Sequence, residues 1–583
     1  MRLTGGEIIA EYLIKEEIPY IVGIPGHGCL GLVDAFKGRE DRIKVLQVRH
    51  EQSAVHLADG YYRFSGKPLA VFTSIGPGAV NTAVGVATCY VDSTPVLVIT
   101  GETHTYMFGR GVLQEIERTH DANFPKILEP IVKRWWQVTK VEQLPEILDK
   151  AFNQMLSGRR GPVLISLPMD IQAESANVEI GKARRRAEST GLGNSDDIDK
   201  AVNLLLKAKR PVILAGGGVI TSGASSELKA LAEFLKSAVI TTMMGKSSFP
   251  EDHPLYAWHA GSVGTRCGNK ISSSADILLA IGCRFADLTT SSYKKGTSFS
   301  IPPTKLIHID IDPGEIGKNY PVELGIVGDA KQVLQQLIEG LKDASKPLQR
   351  EDYVAEIRRL KEEWFQEMKE LWESSRIPIT MARFLKELRE FFPRDGILLT
   401  SAGHSQMQVL QEFAFYYPKT LITSGGFSTM GFTVPAALGV KLAAGERPVI
   451  GVLGDGDFLM TVQELATAVQ YDIPVVYAVL NNMAWLSIRD IQFDTYGKER
   501  GLATEFFNKK GELCSPDFAA IARAFGAYGE RIQKGEEVKP ALERAFASGK
   551  PAVIEVVVNR EHPYSAGKFT GWWDVPIPSY LKK

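Results

Sequence analysis

The sequence predicts an α/β protein of three doubly wound parallel-sheet domains. Two observations predict it: short apolar segments alternate with helical periodicity over almost the whole 583 residues, and two polar breaks divide that alternation into three stretches. Thr4 and Glu7 have the spacing of a capping box, so a helix is expected to start there. The apolar segments YIVGI, LAVFTSI, PVLVIT and PVLISLP follow before residue 170, each bounded by turn formers and each read as a buried strand. A charged stretch from Glu174 to Asp197, containing Arg184, Arg185 and Arg186, then interrupts the pattern and reads as a linker. PVILAGGG and DILLAIG open the second domain, placed at 195–345 after a first at 1–175. A break at Ser345, Lys346 and Pro347 precedes a charged helix, whose stripe Ile357, Leu360, Trp364, Met368 and Leu371 advances in three- and four-residue steps. The third domain is placed at 376–560 and a tail at 561–583, a lid or a subunit contact. No sequence repeat is visible, although two of the three domains are free to share a topology.

Composition narrows the partner. Lys and Arg total 67 against 68 Asp and Glu, a net charge of -1, which gives no basic surplus for nucleic acid. The longest apolar runs, Pro95–Thr100 and Pro474–Leu480, fall far short of the roughly 20 residues that span a bilayer. Five scattered cysteines without a CxxC pair argue against a disulfide framework or a zinc cluster and suit the reducing cytoplasm. The expected partner is a small molecule, without nucleic acid or membrane.

Two strand ends in the third domain carry the most specific chemistry. PVIGVLGDGDFLM puts Gly454, Asp455, Gly456 and Asp457 at the end of one strand, and PVVYAVLNN puts Asn481 and Asn482 at the end of the next. Ligands of open parallel sheets bind at such ends. Gly454 and Gly456 let the main chain approach phosphate oxygens. Asp455 and Asn482, with the main-chain carbonyl of Ala484, offer hard oxygens that suit magnesium, which prefers to complete its shell with phosphate. A lone Gly-Asp-Gly is equally a common turn.

A GDG closing one strand and an NN closing another, with one helix and Glu464-Leu465 between, resembles the motif of the thiamine diphosphate enzymes, the family of acetolactate synthase and pyruvate decarboxylase. The resemblance extends over nearly the whole chain and makes the three domains pyrimidine-binding, central and diphosphate-binding. It implies that Glu51, in VRHEQSAVHLADG, bonds the aminopyrimidine ring of the cofactor and helps remove the thiazolium proton; for an arbitrary glutamate an exposed helix start is the plainer reading. It implies that Gly76, with Pro77 and Gly78, makes the turn under the cofactor and that Asn81 bonds nearby groups. Gly403, His404, Ser405 and Gln406 resemble the loop holding the diphosphate. Ser428 and Met430 lie in the segment whose methionine bends the cofactor, though a methionine is also ordinary core. A homodimer or homotetramer with active sites at the subunit interface is implied as well.

The branch within the family is read from a few positions. Gln114 stands where acetolactate synthase has its active-site glutamine, but Met169, Leu288 and Ile491 replace that enzyme's lysine, carboxylate-gripping arginine and acceptor-selecting tryptophan. Leucine lacks the fork that holds a carboxylate, so Arg110, Arg266 or Arg284 would have to substitute. GIPGHG, TSIGPGA, VLQEIE, VKRWWQV, FADLTTSS, IRDIQF and GWWDVP resemble instead the trihydroxycyclohexanedione and cyclohexane-1,2-dione hydrolases, although Asn481 stands where an Asp is expected. In that branch His27 would donate to a carbonyl or shuttle a proton, unless it merely closes a Gly-rich turn; His104 is a weaker candidate. The expectation leans to cleavage of a 1,2-dione, with carboligation of a 2-oxo acid as the alternative, and a nucleotide-binding protein without catalysis as the reading from another class. In the central domain Gly216, Gly217 and Gly218 with Asp310 and Asp312 leave FAD, ADP or nothing as the ligand.

Overall fold

The computed structural model describes residues 1–116, 124–181, 191–561 and 570–582. Its contacts divide the chain into two compact units. One comprises Met1–Glu188, Gly426–Glu446 and Leu459–Val475; the other comprises Ser189–Gly425, Arg447–Phe458 and Val476–Lys583.

The first unit is built on a six-stranded parallel sheet. Its strands lie in the spatial order Lys44–Gln47, Tyr20–Gly23, Ala70–Thr73, Leu97–Glu102, Val163–Pro168 and Trp135–Gln137. Three of the four inner strands, Ala70–Thr73, Leu97–Glu102 and Val163–Pro168, are buried throughout, which is why they are apolar runs rather than alternating ones. The helix Gly5–Lys15 starts in the expected capping box: Thr4 Oγ1 accepts from Glu7 N at 3.2 Å, and Glu7 Oε2 accepts from Thr4 N at 2.9 Å. The charged stretch after Glu174 is not all linker, because Ser175–Asn177 pairs antiparallel with Arg2–Thr4. Backbone pairing with the chain start holds three residues whose side chains carry no strand signal. Arg184, Arg185 and Arg186 lie outside the described residues.

The helix Glu51–Ser65 is the spine of this unit. It packs against Thr433–Ala444 through small residues: a methyl group at Gly60 would lie 2.2 Å from Ala436 O, and one at Gly439 would lie 1.9 Å from Leu57 O. The backbones touch there, so neither position admits a side chain.

The second unit carries two six-stranded parallel sheets. One runs Tyr256–His259, Ala238–Thr241, Pro211–Ala215, Ile277–Ile281, Lys305–Asp310 and Leu324–Val327. The other runs Leu421–Thr423, Ile397–Thr400, Val449–Gly454, Val476–Asn481, Ala552–Val557 and Tyr528–Ile532. Numbered along the chain within each sheet, the first and third sheets share the order 2-1-3-4-6-5, while the middle one has 3-2-1-4-5-6. Two domains thus repeat a topology that no sequence repeat betrays, and all three are doubly wound. The helix Glu351–Trp372 buries Tyr353, Ile357, Leu360, Trp364 and Met368 against the middle sheet's core, and Leu371 joins them partly buried.

Candidate active site

Glu51 is the first residue of the helix Glu51–Ser65, and its side chain is only 9% exposed. Asn81 Nδ2 donates to Glu51 Oε2 at 2.9 Å, and a methyl group at Gly78 would lie 2.8 Å from Glu51 Oε1. The exposed helix-start alternative does not hold. The strand end just before Glu51 is tied down by Glu464, a fully buried carboxylate that accepts from Arg49 N at 3.0 Å and from Thr467 Oγ1 at 2.6 Å. Burial raises the Glu464 carboxyl above its ordinary range, and these donors oppose the rise. Gly76 sits at φ +58°, where a methyl group would lie 2.0 Å from Gln114 O. The loops carrying two of the predicted residues therefore meet at their backbones, although the Gln114 side chain itself is exposed. His27 is exposed as well, at the start of a short 3-10 turn whose Gly28 N donates to Ser74 Oγ at 3.2 Å. His104 packs against Tyr106, ring centroids 5.1 Å apart. Ser428 has φ +52° and Met430 is half-buried outside the core; their neighbour Thr429 bonds Thr88 at 2.7 Å.

In the second unit, Gly454 ends one strand and Asn481 the neighbouring one, with Gly454 opposite Leu480. Asp455, 1% exposed, accepts from Gly456 N at 2.9 Å, Asn482 N at 3.1 Å and Met483 N at 2.6 Å. Burial pushes its carboxyl up to about 6 despite those three donors. Asn482 Oδ1 is buried without a hydrogen-bond partner. A desolvated carboxylate beside an orphaned amide oxygen is the donor set a hard divalent cation satisfies. The residues fit the metal, and the space around Gly454 fits a diphosphate: a methyl group there would meet nothing within 4 Å. Gly456 also has a packing role, because a methyl group on it would lie 2.1 Å from the Trp485 ring. Its missing side chain makes room for tryptophan. Asp457 accepts a hydrogen bond from Ser401 Oγ, Ser405 Oγ donates to Ala402 O at 3.1 Å, and Gln406 Nε2 donates to Thr423 Oγ1 at 2.7 Å. Gly403 has φ +77° with its nearest neighbour 3.7 Å away, and Ala484 is buried beside Glu505.

His404 lines a cavity of about 620 Å³. Val263, Met407, Ile491 and the tail residues Trp572 to Ile577 supply most of its wall, and no arginine lines it among the described residues. The tail is fastened within this unit: Ser262 Oγ donates to Trp572 O at 2.7 Å, Trp573 Nε1 to Asp287 Oδ2 at 3.3 Å and Asp574 N to Ser292 Oγ at 3.0 Å, while Lys294 Nζ lies 3.7 Å over the Trp572 ring. Leu288 packs against the third sheet's core, and Arg266 pairs with Glu367 at 2.9 Å. Sequence reading missed Asp490, 1% exposed, whose Oδ2 lies 3.2 Å from His404 Nε2 and whose Oδ1 accepts from Arg489 at 2.8 and 2.9 Å. Its neighbour Arg489 was the only signal, and adjacent opposite charges on a helix are commonplace.

The central glycines are explained by packing. Methyl groups at Gly216 and Gly218 would lie 2.0 Å from Gly282 O and 2.7 Å from Gly282 Cα. Asp310 and Asp312 accept from Asp312 N and Gly314 N at 3.0 and 2.9 Å, closing the turn after their strand.

Three family models match the chain: the thiamine pyrophosphate enzyme N-terminal TPP binding domain over residues 3–122, the central domain over 198–337 and the C-terminal TPP binding domain over 401–556. Similar curated proteins include the probable acetolactate synthase large subunit of Methanocaldococcus jannaschii, 38% identical over 96% of this chain and 92% of its own. The acetolactate synthase isozyme 3 large subunit of Escherichia coli is 34% identical, and the acetolactate synthase large subunit of Buchnera aphidicola subsp. Acyrthosiphon pisum is 36% identical, each over 96% of both chains. The chain belongs to the thiamine pyrophosphate-dependent enzymes, in the acetolactate synthase family.

Proposed function

We propose that this chain is a carboligase that decarboxylates a 2-oxo acid and joins the remaining fragment to a second carbonyl compound. The observation that carries the reading is the likeness to proteins named acetolactate synthase large subunits at 34–38% identity over 96% of the chain. Bound thiamine diphosphate supplies a carbon nucleophile that adds to a carbonyl and takes up the electron pair of the broken bond. Asp455, Asn482 and the carbonyl of Ala484 hold Mg²⁺, and Gly403, Ser405, Gln406, Gly454, Gly456 and Asp457 surround the diphosphate. Glu51, fixed by Asn81 at 2.9 Å, exchanges a proton with the aminopyrimidine ring; its burial keeps competing water from that carboxyl. Met430, Ser428 and Gly76 would contact the cofactor and help to hold it. Gln114 and His27, both exposed in this chain, complete the site in a homodimer or homotetramer whose active sites lie at the subunit interface.

In the central domain Gly216 and Gly218 pack on the backbone of Gly282, which accounts for these glycines without FAD or ADP. Among the described residues no helix is long and apolar enough to cross a membrane, and the five cysteines are free thiols, which suits a cytoplasmic enzyme.

A second reading has one observation of its own. Among the described residues no guanidinium lines the cavity beside Ile491, and Leu288 stands in place of the carboxylate-gripping arginine, which favours cleavage of a 1,2-dione or an acceptor that is not an acid. Mass analysis of the products formed with thiamine diphosphate and Mg²⁺ decides between them. Acetolactate from pyruvate supports the carboligase; a ring-opened oxo acid from cyclohexane-1,2-dione, with pyruvate untouched, overturns it in favour of the second reading.

A further inference from the structure

Behind the cavity, one face of the helix Gly403–Glu412 is polar where a buried helix is expected to be apolar. His404, Gln408 and Glu412 recur every four residues, so each side chain lies next to the following one along the helix. They are 7%, 1% and 8% exposed. His404 opens into the cavity beside Asp490. Behind it, Gln408 Oε1 and Nε2 are both buried with no hydrogen-bond partner, and so is Glu412 Oε1. The other oxygen of Glu412 accepts from Trp372 Nε1 at 3.3 Å. Three orphaned polar atoms on neighbouring turns would cost several kcal/mol if dry. Native interiors meet such groups with ordered water.

We propose that Gln408 and Glu412 hold buried water as a proton store for the cavity, with His404 as the group that passes the proton to a substrate oxygen. The inference rests on the carbon–carbon chemistry proposed above, in either form, because a carbonyl oxygen becomes a hydroxyl whenever a carbon nucleophile adds to it and one proton must be supplied. The Glu412 carboxyl gives a proton to the water that Gln408 orients. That water gives one to Nδ1 of His404, and the imidazolium so formed releases the proton on Nε2, beside Asp490, to the substrate oxygen, which leaves His404 neutral again. Product release returns a proton along the same line to the Glu412 carboxylate. No electron is transferred and no co-reactant is needed.

Glu412 is suited to this by its surroundings. Elements packed on or bonded to this helix carry Arg383, Glu387 and Arg389 on Met381–Phe391, Arg489, Asp490 and Asp494 on Leu486–Tyr496, and His259 on Tyr256–His259. Asp455 and Asp457 follow Val449–Gly454, and Glu367 and Lys369 lie on Glu351–Trp372. Burial raises the Glu412 carboxyl to about 8, and the hydrogen bond from Trp372 opposes the rise.

The test uses the full-length enzyme and two near-isosteric variants, Glu412→Gln and Gln408→Met. Infrared spectra without substrate should contain a protonated carboxylic acid band at pH 7 that titrates near pH 8 and is missing in Glu412→Gln. With substrate, both variants should lose at least roughly ten-fold in kcat, with KM little changed, and the limb of the kcat–pH profile near pH 8 should disappear in Glu412→Gln. An infrared band absent from the unaltered enzyme, or variant pH profiles superimposable on its own, overturns the proton store. Because the infrared measurement needs no turnover, its failure is separable from failure of the carboligase reading.

Discussion

Glu412→Gln has a consequence for stability that follows from the same burial. The folded carboxyl titrates near 8 against an ordinary value of 4.5. A raised carboxyl favours folding only where the unfolded chain is also protonated, so its contribution is intact below about pH 4.5 and is lost steadily as pH rises toward 8. At 1.36 kcal/mol per pH interval, holding the proton at pH 7 costs the native state about 3 kcal/mol, and at pH 5 less than about 1 kcal/mol. Glutamine keeps the shape and the bond from Trp372 but has no proton to retain. The stability difference between Glu412→Gln and the unaltered chain should therefore move in the variant's favour by about 2–3 kcal/mol between pH 5 and pH 7. Urea denaturation of both proteins at the two pH values measures it. A difference that does not change with pH would refute the argument that Glu412 is buried and neutral.

Three further outcomes follow. Asp455→Ala should abolish Mg²⁺-dependent binding of thiamine diphosphate, read by calorimetric titration, since it removes the charged member of the pair whose other oxygen, Asn482 Oδ1, has no partner. Leu288→Arg should lower KM for a 2-oxo acid acceptor by roughly ten-fold or more, because a charged hydrogen bond to a carboxylate contributes about 1.5–3 kcal/mol; steady-state kinetics with pyruvate measure it. Gly439→Val should lower the denaturation midpoint by an amount corresponding to about 1–3 kcal/mol or more, because the added carbon starts 1.9 Å from Leu57 O between two packed helices.

The fold was legible because a parallel sheet buried on both faces writes each strand as an apolar run. PVLISLP became Val163–Pro168 and PVILAGGG became Pro211–Ala215. Strands without that signature escaped: Ser175–Asn177 is held by pairing with the chain start, and Trp135–Gln137 is a half-buried edge. The nearness of Asp455 and Asn482 was legible because the ends of neighbouring strands fix their position in the fold. The packing of Gly456 on Trp485 was not legible, since a glycine that clears space for a phosphate and one that clears space for a tryptophan look alike in sequence. The polar face of Gly403–Glu412 was invisible for a different reason. Four-residue spacing of His404, Gln408 and Glu412 describes an exposed face equally well, and only burial distinguishes the two.

The measurement that tests the central claim most directly is hydrogen–deuterium exchange at the thiazolium carbon of bound thiamine diphosphate, followed by proton NMR, in the unaltered enzyme and in Glu51→Gln. Exchange should be fast in the first and slower by roughly a hundred-fold or more in the second, with cofactor affinity retained, as expected when a proton-transfer group is removed. Equal exchange in the two would contradict the role of Glu51 and, with it, the cofactor chemistry assigned to this site.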